Sequence, residues 1–350
     1  MFYQRAKLLI VMLWVGFLSS ACAPSLRARL DTSYRGRIVF PPPPEKPRIE
    51  FWMSIYEILP QGKKLTDILA GSASTEPAYI PIIPRPFGVF VKENTLYIVD
   101  NALPRLTRID LASGRAEHFG IQPSPAQDTP VDLVVDSSDR IYVTDSAVGR
   151  VFVYMPDGRF ERFLTKKDSF SRPTGIAIDN DKGILYIADT PEHCIKVFDR
   201  EGHFLKRIGR RGRNPGEFNY PVHLAFRAGK LYVVDSMNFR IQVFDSQGKL
   251  LKVFGHLGDT YADLERPKGI GVDSFGNIYI ADALQDMIKV FDPEGRLLLF
   301  FGNTGRALGN FSMPIDVFVD DKNRIFVADS ANMRVQVFRL LEGGERHEAY

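Results

Sequence analysis

A short phrase, an apolar residue, Tyr or Phe, two further small or apolar residues and an Asp, occurs six times, at residues 96–100, 141–145, 185–189, 231–235, 278–282 and 325–329. Its aspartates (Asp100, Asp145, Asp189, Asp235, Asp282 and Asp329) are 45, 44, 46, 47 and 47 residues apart. A period in this range means a stacked or radial repeat, because each unit is too small to bury its own apolar face. Upstream of each phrase lies a Pro-led apolar run, as in 173–179. Downstream come a third alternating segment, as in 240–245, a turn containing Gly, and a fourth, as in 249–254. Alternation at period two makes these β-strands, four to a unit, with Pro156-Asp157-Gly158, Gln247-Gly248 and Pro293-Glu294-Gly295 as hairpin turns. Six such units predict an all-β, six-bladed β-propeller, whose radial closure protects the sheet edges.

The strand count predicts how the ring closes. The sixth unit has three strands, 314–319, 324–329 and 334–340, and then only the polar tail 341–350. Residues 48–58, with Ile49, Phe51, Met53 and Ile55 alternating, precede the first unit without a blade of their own. They are expected to supply the missing outer strand, so that the propeller spans 48–340. Residues 59–80 then cross the closure, with a short helix near 65–69.

The N-terminus reads as an address. Arg5 and Lys7 precede an unbroken apolar run over 8–18, 11 residues long, against the ~20 that a spanning helix needs. Leu18-Ser19-Ser20-Ala21-Cys22 then resembles the bacterial lipobox. The resemblance makes 1–21 a lipoprotein signal peptide and Cys22 the acylated first residue, which holds the chain on a membrane. Ala23, in place of Asp, implies the outer membrane of a bacterial envelope, with the propeller in the periplasm or at the cell surface. Residues 22–47, with Arg27, Arg29, Arg35 and Arg37 followed by prolines 41–44 and Pro47, are expected to form an extended tether. Cys194 is the one cysteine left over, which excludes an intramolecular disulfide.

The pattern Pro-x-Gly-Ile-x-Val-Asp, then Ile-Tyr-Val-x-Asp, then Arg-Ile-x-Val-Phe, resembles NHL repeats. So does the run 209–218, Gly-Arg-Arg-Gly-Arg-Asn-Pro-Gly-Glu-Phe, leading into Pro221. The resemblance covers 85–340 and implies a six-bladed propeller. It implies no single activity, since NHL propellers include amidating lyases, RNA-binding modules and many bacterial proteins with no known activity. Lipidated NHL proteins encoded beside c-type cytochromes imply an electron-transfer complex as one candidate partner.

Within the repeat, the six aspartates are expected to cap the turns that follow them. Five positions on lie Arg105, Arg150, Cys194, Arg240, Met287 and Arg334, an Asp–Arg ladder with two apolar replacements. Two positions after each strand-opening Pro the residues are Gly88, Asp132, Gly175 (Pro173), His223, Gly269 and Asp316. First strands line the channel of a propeller, so Asp132, His223 and Asp316 converge from alternate units at one channel mouth. Arg85, Arg172 and Arg266 stand before the prolines of the other three. Two readings stand for the three polar residues. They bind a divalent metal, calcium or zinc, as the centre of NHL amidating lyases holds zinc. Or they pair with neighbouring arginines and water.

A net charge of +3, and 43 basic against 42 acidic residues after Cys22 is exposed, speak against nucleic acid as a partner. Arg210, Arg211 and Arg213, after Lys206 and Arg207, form a basic loop cluster suited to an acidic protein. No nucleophile elbow, zinc-protease, phosphate-loop or haem-attachment motif occurs. The sequence therefore points to a membrane-anchored, non-catalytic binding or scaffold module for envelope proteins. The alternative is a metal-dependent lyase or hydrolase with its site at the channel mouth.

Overall fold

A computed structural model describes residues 26–341, apart from 43–44, 47, 61–82, 121–128 and 259. The chain opens with β1 (Leu26–Asp31), β2 (Val39–Phe40) and β3 (Ile49–Pro60). The first repeat unit holds β4 (Pro86–Lys92), β5 (Thr95–Asp100), β6 (Arg105–Asp110) and β7 (Arg115–Gly120). The second holds β8 (Pro130–Val135), β9 (Ile141–Asp145), β10 (Arg150–Tyr154) and β11 (Phe160–Phe163). The third is β12 (Pro173–Asp179), β13 (Ile184–Asp189), β14 (Cys194–Asp199) and β15 (Phe204–Ile208). The fourth is β16 (Pro221–Arg227), β17 (Lys230–Asp235), β18 (Arg240–Asp245) and β19 (Leu250–Phe254). The fifth is β20 (Pro267–Val272), β21 (Ile278–Asp282), β22 (Met287–Phe291) and β23 (Leu297–Phe301). The sixth contributes β24 (Pro314–Val319), β25 (Arg324–Asp329) and β26 (Arg334–Leu340).

Units two to five are separate four-stranded antiparallel meanders, and the rest of the strands form one ten-stranded sheet. The protein is thus all-β and built as a β-propeller. Each unit's first strand touches the first strand of the next, and β24 touches β4, so the inner strands make a closed ring. Apolar side chains from both faces of each sheet fill the spaces between units. Tyr279, Ile288 and Val290 of the fifth unit, for example, pack on Val317, Ile325 and Val327 of the sixth. Hairpins close on the glycines marked in the sequence: Gly248 adopts φ 81° and donates to Asp245 O at 2.9 Å.

The seam is more elaborate than one borrowed strand. β3 pairs with β26, from Ile55 opposite Val335 to Ile49 opposite Leu340. β1 then lies along β3 and also reaches β7, with Leu26 opposite Ala116 and Arg27 opposite Arg115. Hydrogen bonding therefore runs without a break from the sixth unit into the first.

For residues 26–31 and 39–40 this corrects the expectation of an extended tether over 22–47. Leu26, Ala28 and Leu30 alternate with charged residues, and their apolar side joins the core made by Val89, Leu96 and Ile109. Further on, Phe40 packs against Phe301 at a centroid distance of 5.5 Å. A strand of this pattern buries area that an extended stalk would leave in water. Cys22, the signal segment 1–21, the expected helix near 65–69 and residues 342–350 lie outside the described residues.

Candidate functional site

The inner strands are the edges of their sheets, so alternate N–H and C=O groups have no partner within the sheet. Every inner strand carries a β-bulge next to its opening proline, between Pro86 and Gly88, Pro130 and Asp132, Pro173 and Ile176, Pro221 and His223, Pro267 and Ile270, and Pro314 and Asp316. Such a bulge re-aims the next side chains, and Asp132, His223 and Asp316 come together as their positions in the repeat predict. His223 Nε2 lies 2.9 Å from Asp316 Oδ1 and 3.4 Å from Asp132 Oδ2.

The alternation with glycine has a steric cause. A Cβ on Gly88 would stand 2.9 Å from Asp132 Cα, one on Gly175 2.6 Å from His223 Cα, and one on Gly269 2.4 Å from Asp316 Cα. Adjacent inner strands approach so closely at this level that only every second position can carry a side chain.

Each aspartate also ties its unit to the next. Asp132 Oδ1 accepts from Leu133 N at 2.8 Å, and Oδ2 accepts from Ile176 N of the third unit at 2.9 Å. Asp316 Oδ1 accepts from Val317 N at 2.7 Å, and Oδ2 accepts from Val89 N of the first unit at 2.8 Å, across the seam. Burial disfavours charge on His223, but Asp316 and Asp132 outweigh it and raise its pKa to about 9. Burial, opposed by His223 and reinforced by Asp316, pushes Asp132 up to about 7. An imidazolium held between two carboxylates is the electrostatic result. Both ring nitrogens are buried, and neither has a well-directed hydrogen bond.

His223 Nε2 and one oxygen from each aspartate lie within 4.8 Å of one another, close enough to share a cation. One imidazole and two carboxylates suit zinc or a harder divalent ion. Binding would displace the Nε2 proton. From this cluster a cavity of about 1100 Å³ runs between the inner strands, past Val91, Val135 and Phe226, to a rim where Lys92 pairs with Asp139 and Arg227 pairs with Asp321.

The other predicted residues divide. Arg85, Arg172 and Arg266 are exposed at the proline end of the channel, while their backbone amides donate to Asp100 (2.8 Å), Asp189 (2.9 Å) and Asp282 (2.9 Å). None of the three pairs with the central carboxylates; these take His223 instead. Lys268, which the sequence reading passed over, joins Arg172 and Arg266: burial lowers its pKa, and the two arginines lower it further. Arg210, Arg211 and Arg213 stay apart in an exposed loop, where Arg210 Nε donates to Glu217 at 3.1 Å.

The Asp–Arg ladder needs revision. Arg240 and Arg334 bind Asp235 and Asp329 at 2.8 and 2.7 Å. Where Cys194 and Met287 replace Arg, both are buried, and a lysine two residues further on supplies the cation. Lys196 pairs with Asp189 at 2.8 Å and Lys289 with Asp282 at 3.3 Å. In the second unit Arg150 turns away and stacks 4.0 Å over Phe163, and Asp145 is held by the amides of Ala147 and Val148. The seventh position after each Asp reads Thr107, Phe152, Lys196, Gln242, Lys289 and Gln336, a column that would have revealed the substitution. Burial raises the Cys194 thiol to about 11, which makes it an inert packing group.

A closed ring of antiparallel meanders with polar residues at its centre defines a β-propeller. Three of its segments match the NHL repeat: residues 128–154, 170–198 and 311–338. Protein brain tumor of Drosophila melanogaster is 33% identical over 67 residues, which is 19% of this chain and 6% of that protein. Virginiamycin B lyase from Staphylococcus aureus superposes with a TM-score of 0.56 at 15% identity, over 74% of this chain and 96% of that one. An auxiliary nutrient binding protein from Bacteroides thetaiotaomicron gives a TM-score of 0.59 at 15% identity, over 74% and 70%. At such identities the likeness is one of fold. The chain spans a small fraction of the curated relative it matches.

Proposed function

We propose that this protein is a six-bladed, lipid-anchored envelope propeller that acts as a non-catalytic docking module for acidic protein segments. The observation that carries this reading is the composition of one face. The proline end of each inner strand lies beside the Asp end of the second strand, as Pro221 lies opposite Asp235. The loops on this side therefore share one face. They expose Leu103, Val148, Tyr220, Met237, Leu284 and Met333. Among these stand the exposed Arg85, Arg172, Arg266, Arg211 and Arg213. Apolar anchors ringed by cations with no ion pair among the described residues suit a partner that is acidic at its rim and apolar at its centre. An envelope electron-transfer complex is one such partner. A photocrosslinker at Met237 should capture an envelope protein, and Arg172→Glu with Arg266→Glu should abolish the product. Crosslinks from the opposite face alone, at Phe275, would overturn the assignment.

The central cluster supports a second reading, a divalent metal held by Asp132, His223 and Asp316 and serving a lyase or hydrolase, because three ligand atoms from separate units converge. Occupancy would stabilise the fold by about 2.7 kcal/mol at a hundredfold excess over Kd. Chelator should then lower the melting temperature of wild type and leave His223→Ala unchanged. Purified protein that is metal-free, and indifferent to zinc, calcium and manganese, would remove this reading.

A further inference from the structure

We infer that the seam edge of the propeller rests on an anionic lipid surface, so that the disc stands edge-on with its channel roughly parallel to the membrane. This rests on the proposal that Cys22 is acylated. Leu26, the first residue of β1, is only four residue steps along the chain from Cys22. Fully extended, they span at most about 14 Å. Leu26 is not on a stalk: it is paired on both sides, to Pro60 of β3 and Ala116 of β7, at the outer rim where the sixth unit meets the first. An acyl chain on Cys22 therefore holds this rim, and no other part of the disc, against the bilayer.

The chemistry of the edge agrees. Residues 26–48 contain six cations (Arg27, Arg29, Arg35, Arg37, Lys46 and Arg48) and two carboxylates (Asp31 and Glu45). All six cations are exposed. Strand alternation puts Arg27 and Arg29 on the outer side of β1, opposite the buried Ala28, and Arg115 is the register neighbour of Arg27. Of the nearby carboxylates, Asp31 accepts from Ser33 N and Oγ, Glu117 pairs with Arg108 and Arg115, and Glu57 is the register neighbour of Arg29. Tyr34, 49% exposed, adds an amphipathic ring suited to the headgroup layer. Edge-on seating leaves the Arg172–Arg266 face open to the aqueous compartment.

The test uses mature protein in vesicles of phosphatidylethanolamine and phosphatidylglycerol. With Cys22 blocked by lipid and Cys194 buried, a label on Thr32→Cys reports the seam, and one on Leu251→Cys reports the opposite rim. Headgroup-located quencher should quench the Thr32 label and spare the Leu251 label. Equal or reversed quenching overturns the orientation. Unlipidated Cys22→Ser protein should still sediment with phosphatidylglycerol vesicles at low salt and not with phosphatidylcholine vesicles. Arg27→Glu with Arg29→Glu should weaken that binding at least 25-fold, the effect of losing two surface cations at about 1 kcal/mol each. No preference for anionic vesicles overturns the lipid-facing edge. Mass analysis of the N-terminal peptide reports acylation separately, so failure of the anchor and failure of the edge are distinguishable.

Discussion

At the residue scale, the central level of the channel is set by how closely neighbouring strands approach. Gly175→Ala would drive a methyl group into the backbone of His223, which cannot move without parting two units. The expected cost is about 2–3 kcal/mol, read as a lower urea midpoint; unchanged stability would show that the ring relaxes freely. His223 makes a pH prediction for chelated protein. Its folded pKa of about 9 exceeds the unfolded value of about 6.5. The folded state keeps a proton that the unfolded state releases. That stabilisation, about 3 kcal/mol, is complete below about pH 6.5 and lost as pH rises through 9. Asp132, raised to about 7, adds a slope of the same sign at lower pH. Urea melts at pH 6 and pH 9.5 should differ far more for wild type than for His223→Gln. Equal differences would separate His223 from the effect.

At the scale of the strand, the buried carboxylate after each second strand demands a partner but does not dictate where in sequence it comes from. Arg reaches it from the first residue of the third strand, and Lys or Gln from the third residue. Lys289, with no side-chain exposure, is the strictest case. Lys289→Met leaves Asp282 without its cation and should cost about 3–5 kcal/mol. Adding Met287→Arg, which restores the arrangement of Asp329 and Arg334, should recover part of that loss. A double mutant no more stable than Lys289→Met would refute the interchange. The strands within each repeat unit, their alternation and the glycine turns were all legible in the sequence, because period-two burial writes itself directly into residue order. The ladder's exceptions were not, because they depend on which side chain can bend back to a given carboxylate.

At the scale of the whole molecule, the ring is held shut by β3, by β1 and by Asp316 bonding to Val89. A tether would be dispensable; a strap is not. Deleting 23–40 should expose the apolar edge of β3 and the Phe301–Phe338 cluster and lower the melting temperature well below wild type. An unchanged melt would return the segment to the role of a stalk. Arg27→Ala, which leaves the strap's backbone bonds intact, should melt as wild type does.

The sequence by itself determined the repeat, the strand order within each unit, and the three polar residues that meet at the centre. All of these follow from periodicity and from the fact that equivalent positions of a radial repeat share one level. The tertiary structure decided the rest. It converted residues 26–31 from an apparent linker into a strand, since three alternating apolar residues have value only against an edge that another part of the chain provides. It also decided that His223 answers the two aspartates while the mouth arginines face solvent. That choice depends on distances of a few ångströms between strands about 40 to 230 residues apart, which no local pattern records.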